Sequence, residues 1–138
     1  MSRRSGWALN VVIVACAVSA GVHAALVPEH LTEGTAAGLA FLASAVVLAG
    51  LAAALTRRPG AALLISTSAV LAGLIGSYAA AITTGLPLLH PMPEPVEGLA
   101  VLTKAVEAVG LLAAMHLLRR DRSGVLLPVL TRPKGTLT

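Results

Sequence analysis

The sequence has few of the residues on which soluble enzymes and nucleic-acid-binding proteins depend. Aromatic residues make up 2% of the 138 residues and charged residues 12%, which is too little charge to cover a globule in water. Although the sequence pI is about 10.2, the aromatic side chains that stack on bases are almost absent. We therefore expect no nucleic-acid partner, and we interpret the basic charge as a consequence of membrane topology and of attraction to anionic lipids.

The chain contains a single cysteine, Cys16, so no intramolecular disulfide can form. Residues 13–16 resemble a bacterial lipoprotein cleavage box, and residues 22–24 fit signal-peptide cleavage after Ala24. However, the chain stays apolar as far as Val27, a length that suffices to cross a membrane. We therefore expect the first segment to be retained as a helix and Cys16 to pack as a small apolar side chain.

The main feature of the sequence is its long apolar stretches. Hydrophobic residues make up 57% of the chain, and the mean hydropathy is +0.88. Four stretches have close to the ~20 residues that a helix needs to cross a hydrocarbon core of ~30 Å. Because short connections make neighbouring helices antiparallel, we predict an all-α integral membrane protein, an up-down-up-down bundle of four transmembrane helices. The predicted helices cover about residues 6–27, 35–55, 60–84 and 98–118 of a single domain (1–122), followed by a basic cytoplasmic tail (123–138).

The basic residues predict the orientation of this bundle. Nine of the ten Lys and Arg residues form four short clusters beside the apolar stretches. Since cytoplasmic loops carry an excess of Lys and Arg, we expect both termini to be cytoplasmic and the chain to be a multi-pass protein of the cytoplasmic (inner) membrane of a bacterium. The same rule places four of the six acidic residues outside, together with His30 and His90. The clusters are Arg3/Arg4, Arg57/Arg58, Arg119/Arg120/Arg122 and Arg132/Lys134; the outer acids are Glu29, Glu33, Glu94 and Glu97.

The predicted outer end contains side chains that can bind metal ions. If the loop after Val27 forms one turn of helix, Glu29 and Glu33 share a face, and His30 lies beside Glu33. Such nitrogen and oxygen ligands suit a divalent ion, and His90 with the methionine two residues later suits copper. The chain has neither an HExxH helix nor a CxxC pair, so the spacing is specific to no metal and the cofactor stays open. A polar rim that caps the helices is the simpler interpretation of the same residues.

Two charged residues, Lys104 and Glu107, lie inside the fourth predicted helix. They are three residues apart and therefore share a face, and Glu97 precedes Lys104 by one heptad. Charges at membrane depth are rare, usually face the bundle interior and usually pair with each other. The simplest hypothesis is an ion pair that fixes the helix register. The alternatives are a proton or ion relay and a pocket for a polar ligand.

Two further polar residues, His23 and Tyr78, are candidates for the same relay or ligand site. His23 lies one turn inside the first helix, where an unsatisfied polar group is costly, so we expect it to bond to a neighbouring helix or to the first outer loop. Tyr78 lies in the outer half of the third helix and can direct its hydroxyl toward the outer end.

Two stretches resemble a pattern found in small four-transmembrane-helix proteins of high-GC bacteria that have no assigned activity. One is HAALVPEHLTEG at residues 23–34. The other is TGLP at residues 84–87, followed by EPV at 94–96 and LTKAVE at 102–107. This resemblance implies the four-helix topology and singles out the same polar residues, and it implies no reaction.

The sequence favours an accessory or interaction subunit without catalysis of its own, because no catalytic motif is present and no residue can be assigned as catalytic. Its partners would be the lipid bilayer, other membrane proteins or a second copy of the chain, contacted through faces rich in Ala and Gly. The first alternative is an outer site for a metal ion or small ligand. The others are a small transporter that uses Lys104 and Glu107, and a membrane-embedded enzyme that acts on a lipid-like substrate with His23, Glu29, His30 and Tyr78 as acid–base groups.

Overall fold

The computed structural model describes the backbone of residues 3–86, 92–93 and 95–130, and the side chains of residues 6–86, 92–93 and 95–121 among them. Each helix in this part of the chain contains a span long and apolar enough to cross a membrane. The prediction of an all-α chain with four candidate membrane spans is therefore confirmed. The helices are α1 (Arg3–Glu33), α2 (Thr35–Arg57), α3 (Ala61–Thr83) and α4 (Gly98–Leu130).

Two helices extend further than the apolar stretches. α1 runs through Pro28 to Glu33, so no separate turn of helix lies between α1 and α2. A proline is tolerated inside a membrane helix when neighbouring groups satisfy the freed carbonyl. Gly34 then adopts an extended conformation (φ 175°), and α2 begins at the next residue. At the other end of the chain, α4 continues to Leu130, and the assignment of residues 123–138 to a cytoplasmic tail stays a prediction.

The helices pack as a ring in chain order. α1 packs most extensively on α2, α4 packs on both α1 and α3, and α2 makes the least contact with α3. Within the described residues, the diagonal pairs α1–α3 and α2–α4 have no Cα atoms within 8 Å of each other. This is the arrangement of a four-helix bundle with short connections, and it is loosest between α2 and α3.

The two ends of the bundle differ in charge and in packing. We call the end with Glu29, Glu33 and Glu97 the acidic end, and the end with Arg57 and Arg119 the basic end. Most of the apolar core lies in the half of the bundle toward the basic end, where side chains from all four helices are buried. Cys16 is buried in this core. The core includes Val12, Cys16, Leu48, Leu55, Leu64, Leu71 and Ala114.

Only some of the small residues mark close helix contacts. A Cβ at Gly110 would lie 2.6 Å from the Cβ of Ala15, so α4 approaches α1 as closely as a glycine allows. A Cβ at Gly38 would meet the side chain of Leu31 across the α1–α2 turn. By contrast, Gly50 and Gly73 have open space where a side chain would begin. Small residues therefore bring backbones together at the core and at the α1–α2 turn.

Candidate functional site

A cavity of about 330 Å³ lies among the four helices in the half of the bundle toward the acidic end. Its volume is within the range of about 300–1,000 Å³ found for small-molecule sites. Apolar side chains, such as Leu26, Phe41 and Leu74, form much of the wall. The polar residues that line it are His23, Glu29, His30, Glu33, Ser44, Ser77, Tyr78, Glu97, Thr103 and Lys104.

An ion pair lies between this cavity and the apolar core. Glu107 is fully buried, and the Nζ of Lys104 donates a hydrogen bond to its Oε2 at 2.8 Å. The Oγ of Ser19, on α1, donates to the other carboxylate oxygen at 2.6 Å. Both oxygens of a buried carboxylate are thus bonded, which offsets the cost of removing the charge from water. Lys104 itself lines the cavity, whereas Glu107 lies behind it.

His23 extends this hydrogen-bonded group along α1: among the described residues it bonds within its own helix, and not to a neighbouring helix or to the first outer loop as expected from the sequence. Its Nδ1 lies 2.9 Å from the backbone oxygen of Ser19 and 3.3 Å from the Oγ of Ser19. Because the serine hydroxyl has one proton and directs it to Glu107, the network assigns the imidazole proton to Nδ1, where it is donated to the carbonyl. The buried network therefore joins α1 to α4 through His23, Ser19, Glu107 and Lys104.

An aromatic contact closes the α1–α2 side of the cavity. The ring of His30 stacks on Phe41, with centroids 3.6 Å apart, and the Nδ1 of His30 donates to the backbone oxygen of Leu26 at 3.0 Å. The Nε2 of His30 lies 4.0 Å from Oε2 of Glu33, and the ring of His23 lies 5.4 Å from Phe41. These contacts hold His23 and His30 on the same wall of the cavity.

Tyr78, on α3, also lines the cavity. Its hydroxyl is buried and has no hydrogen-bond partner among the described residues. The Nζ of Lys104 lies 5.9 Å from the centre of its ring. A buried hydroxyl without a hydrogen-bond partner costs about 1–3 kcal/mol of stability.

The structure brings together most of the residues that the sequence singled out. His23, Tyr78, Glu97, Lys104 and the three residues Glu29, His30 and Glu33 all line the one cavity. Within the part of the chain that the structure describes, no group of three or more His, Cys, Asp or Glu side chains is placed to hold a metal ion. His90 lies outside the described residues, so the metal site stays a prediction.

Sequence reasoning missed two residues of the site, Ser19 and Phe41. Ser19 precedes His23 by four residues, so a search for polar residues on the His23 face of α1 would have found it. Phe41 is the only phenylalanine of the chain, but nothing in the local pattern distinguishes a residue that stacks on histidine from one that faces lipid.

Comparison of the chain with protein-family models, with curated proteins and with solved structures gave no match. The resemblance to small four-helix membrane proteins therefore identifies no family. The chain is a multi-pass membrane protein by its four candidate spans, and any function has to be inferred from the geometry of its own residues.

Proposed function

We propose that this protein binds a small molecule in the cavity at the acidic end of its bundle. The observation that carries the proposal is that polar side chains on α1, α3 and α4 line one cavity of about 330 Å³. A mostly apolar cavity with a few convergent polar groups is the usual form of a ligand site. The charged and aromatic contacts around Lys104 and His30 fix the shape of this site.

This cavity favours ligand binding over the accessory subunit that the sequence alone favoured. An accessory bundle made of Ala, Gly and Leu needs no internal space, and its stability would increase if the space were filled. Here the half of the bundle toward the basic end contains the apolar core, whereas the other half contains a partly open cavity lined by polar side chains.

The same geometry gives less support to a transmembrane relay. Among the described side chains, the buried polar residues are Ser19, His23, Thr67, Thr103 and Glu107. Of these, only Thr67 lies in the half of the bundle toward the basic end, and its hydroxyl donates to the backbone oxygen of Leu63 in its own helix. Among the described residues, the hydrogen-bonded group of His23, Ser19, Glu107 and Lys104 therefore does not continue through the apolar core to the basic end.

We further propose that the acidic end faces the outside of the cytoplasmic membrane, because arginine clusters mark cytoplasmic loops. A membrane-impermeant maleimide applied to intact cells is expected to label Val96→Cys, which lies at the acidic end, and to leave Thr56→Cys, at the basic end, unlabelled. Both positions are exposed, so both should react once the membrane is permeabilised. Labelling of Thr56→Cys alone in intact cells would reverse the orientation.

A cavity-filling variant tests the binding proposal. Ala40 lines the cavity, so Ala40→Trp places an indole in the space that a ligand needs. Native mass spectrometry of protein extracted gently from its own membranes is expected to show a bound small molecule in the wild type and none in Ala40→Trp.

Ala43→Trp is the matched control, because Ala43 is an exposed residue of the same helix and does not line the cavity. It should retain the small molecule. The proposal fails if the wild type carries no small molecule, or if Ala40→Trp retains it as fully as Ala43→Trp does.

A further inference from the structure

We infer that a groove between α1 and α4, on the outside of the bundle, binds one anionic phospholipid. Its head group lies at the basic end, and one of its acyl chains lies in the groove. This site is separate from the cavity at the acidic end and does not depend on the proposed function. Its support is the shape of the groove, the residues that follow it toward the basic end, and the distance between the two.

The groove is apolar and open to the outside of the bundle. It has a volume of about 260 Å³, and its lining residues are Val11, Val14, Ala15, Ala105, Val106 and Val109. Ala15 is buried at the close approach of α1 to Gly110, whereas Val14, Ala105 and Val109 are exposed. Since lipid tails are as apolar as these side chains, an acyl chain is held here by van der Waals contact along the groove.

The face of α4 that lines the groove continues to an arginine at the basic end. His116 and Arg120 follow Val109 by seven and eleven residues, spacings that return to the same face of a helix. Both side chains are exposed. The acidic residue Asp121 directly follows Arg120 and therefore lies on a different face of α4. A guanidinium can bind a phosphate through two parallel hydrogen bonds, so the groove leads to a position suited to a phospholipid head group.

α1 supplies matching residues on the other side of the groove. Trp7 precedes Val11 by four residues, on the same face of α1, and is exposed. Tryptophan is enriched at the level of the lipid head groups. Arg4 precedes Val11 by seven residues in the same helix. Each of the two helices therefore carries an arginine toward the basic end of this groove.

The distance from the arginine to the groove fits the length of an acyl chain. Along α4, Arg120 lies about 16 Å from Val109 at 1.5 Å per residue. One leaflet contributes about half of the ~30 Å hydrocarbon core, or ~15 Å. A phospholipid whose phosphate lies at Arg120 therefore has an acyl chain long enough to enter the groove at Val109.

The charge of the basic end favours an anionic phospholipid over the other occupants. Arginine residues near a membrane surface attract anionic lipids, whereas a zwitterionic lipid brings a positive group of its own. A second copy of the chain, related by a two-fold axis along the membrane normal, would place its own basic end beside this one. Like charges brought together in this way would oppose the contact.

Trp7 is the only tryptophan of the chain, so its fluorescence reports which lipid lies beside it. The full-length protein is placed in phosphatidylcholine vesicles that contain a small share of phosphatidylglycerol. Bromine atoms, which quench tryptophan on contact, are carried on the upper acyl chain of one lipid or of the other. The position beside Trp7 is expected to prefer phosphatidylglycerol about fivefold, as one arginine near an anionic membrane surface would produce.

Two pairs of variants locate the site. Arg120→Gln is expected to remove most of this preference. Arg58→Gln removes the same charge from the connection between α2 and α3, on the opposite side of the bundle, and should keep the preference. Ala105→Phe fills the groove and is expected to lower the quenching by phosphatidylglycerol. Ala17→Phe adds the same ring at an exposed position of α1 that does not line the groove, and should not lower it.

Four results would overturn the lipid site. The first is equal quenching by the two brominated lipids in the wild type. The second is an equal loss of preference in Arg58→Gln and Arg120→Gln, because the preference would then follow from overall charge. The third is unchanged quenching by phosphatidylglycerol in Ala105→Phe. The fourth is quenching by both lipids that increases as the protein is diluted in the bilayer, because a second copy would then be the occupant of the groove.

Discussion

Glu107→Ala is expected to lower the free energy of unfolding by about 3 kcal/mol or more, because it leaves Lys104 partly buried without its counter-ion. The substitution also removes the acceptor of the Ser19 hydroxyl, whose bond to Glu107 joins α1 to α4. The measurement is unfolding in mixed micelles with increasing SDS, followed by circular dichroism at the helical band.

Glu97→Ala is the control for loss of a carboxylate, because Glu97 is an exposed residue just before α4. Its effect should stay within about 0.5 kcal/mol, as for other surface substitutions. A loss for Glu107→Ala as small as that for Glu97→Ala would mean that the ion pair does not stabilise the bundle.

The double variant Lys104→Met/Glu107→Leu should recover most of the lost stability. Replacing a buried ion pair by apolar side chains of similar volume is often neutral or stabilising, whereas removal of one partner is not. The double variant would also remove the ammonium from the cavity wall. It therefore distinguishes the contribution of the ion pair to the stability of the bundle from the contribution of Lys104 to ligand binding.

Much of the fold could be predicted from the sequence, because each helix contains a long apolar stretch and arginine clusters follow the apolar stretches of α2 and α4. The run of helix through Pro28 could not, since its cost depends on how neighbouring helices satisfy the freed backbone carbonyl. As a result, Glu29, His30 and Glu33 lie on the last turns of a continuous helix.

The sequence identified several residues of the candidate site, but it did not predict the cavity that these residues line. His23, Tyr78 and Lys104 could be identified because polar groups at membrane depth are rare. The cavity depends instead on the gap between α2 and α3, and that gap follows from side-chain packing along whole helices. No local sequence pattern predicts this gap between α2 and α3. The stacking of His30 on Phe41 has the same origin, because it requires the register between α1 and α2 that the one-residue turn at Gly34 sets.

The second large effect on stability is expected for a substitution at Gly110, where α4 packs closely against α1. Gly110→Leu is expected to lower the free energy of unfolding by about 3 kcal/mol, at the upper end of overpacking costs. Even the first atom of the new side chain would lie 2.6 Å from the Cβ of Ala15 and 3.3 Å from Cδ1 of Leu71. The Ala15 Cβ is attached directly to the backbone of α1, so α1 and α4 would have to separate.

Gly73→Leu is the matched control, since Gly73 lies within α3 and has no atom within 4 Å of where its Cβ would be. Leucine has a higher helix propensity than glycine, so this variant should gain about 0.5–1 kcal/mol. The two substitutions are therefore expected to change stability in opposite directions in the same SDS titration. A change of the same sign and size at both positions would show that α4 does not approach α1 this closely, and the separation of a filled core from an open cavity would then lack its structural basis.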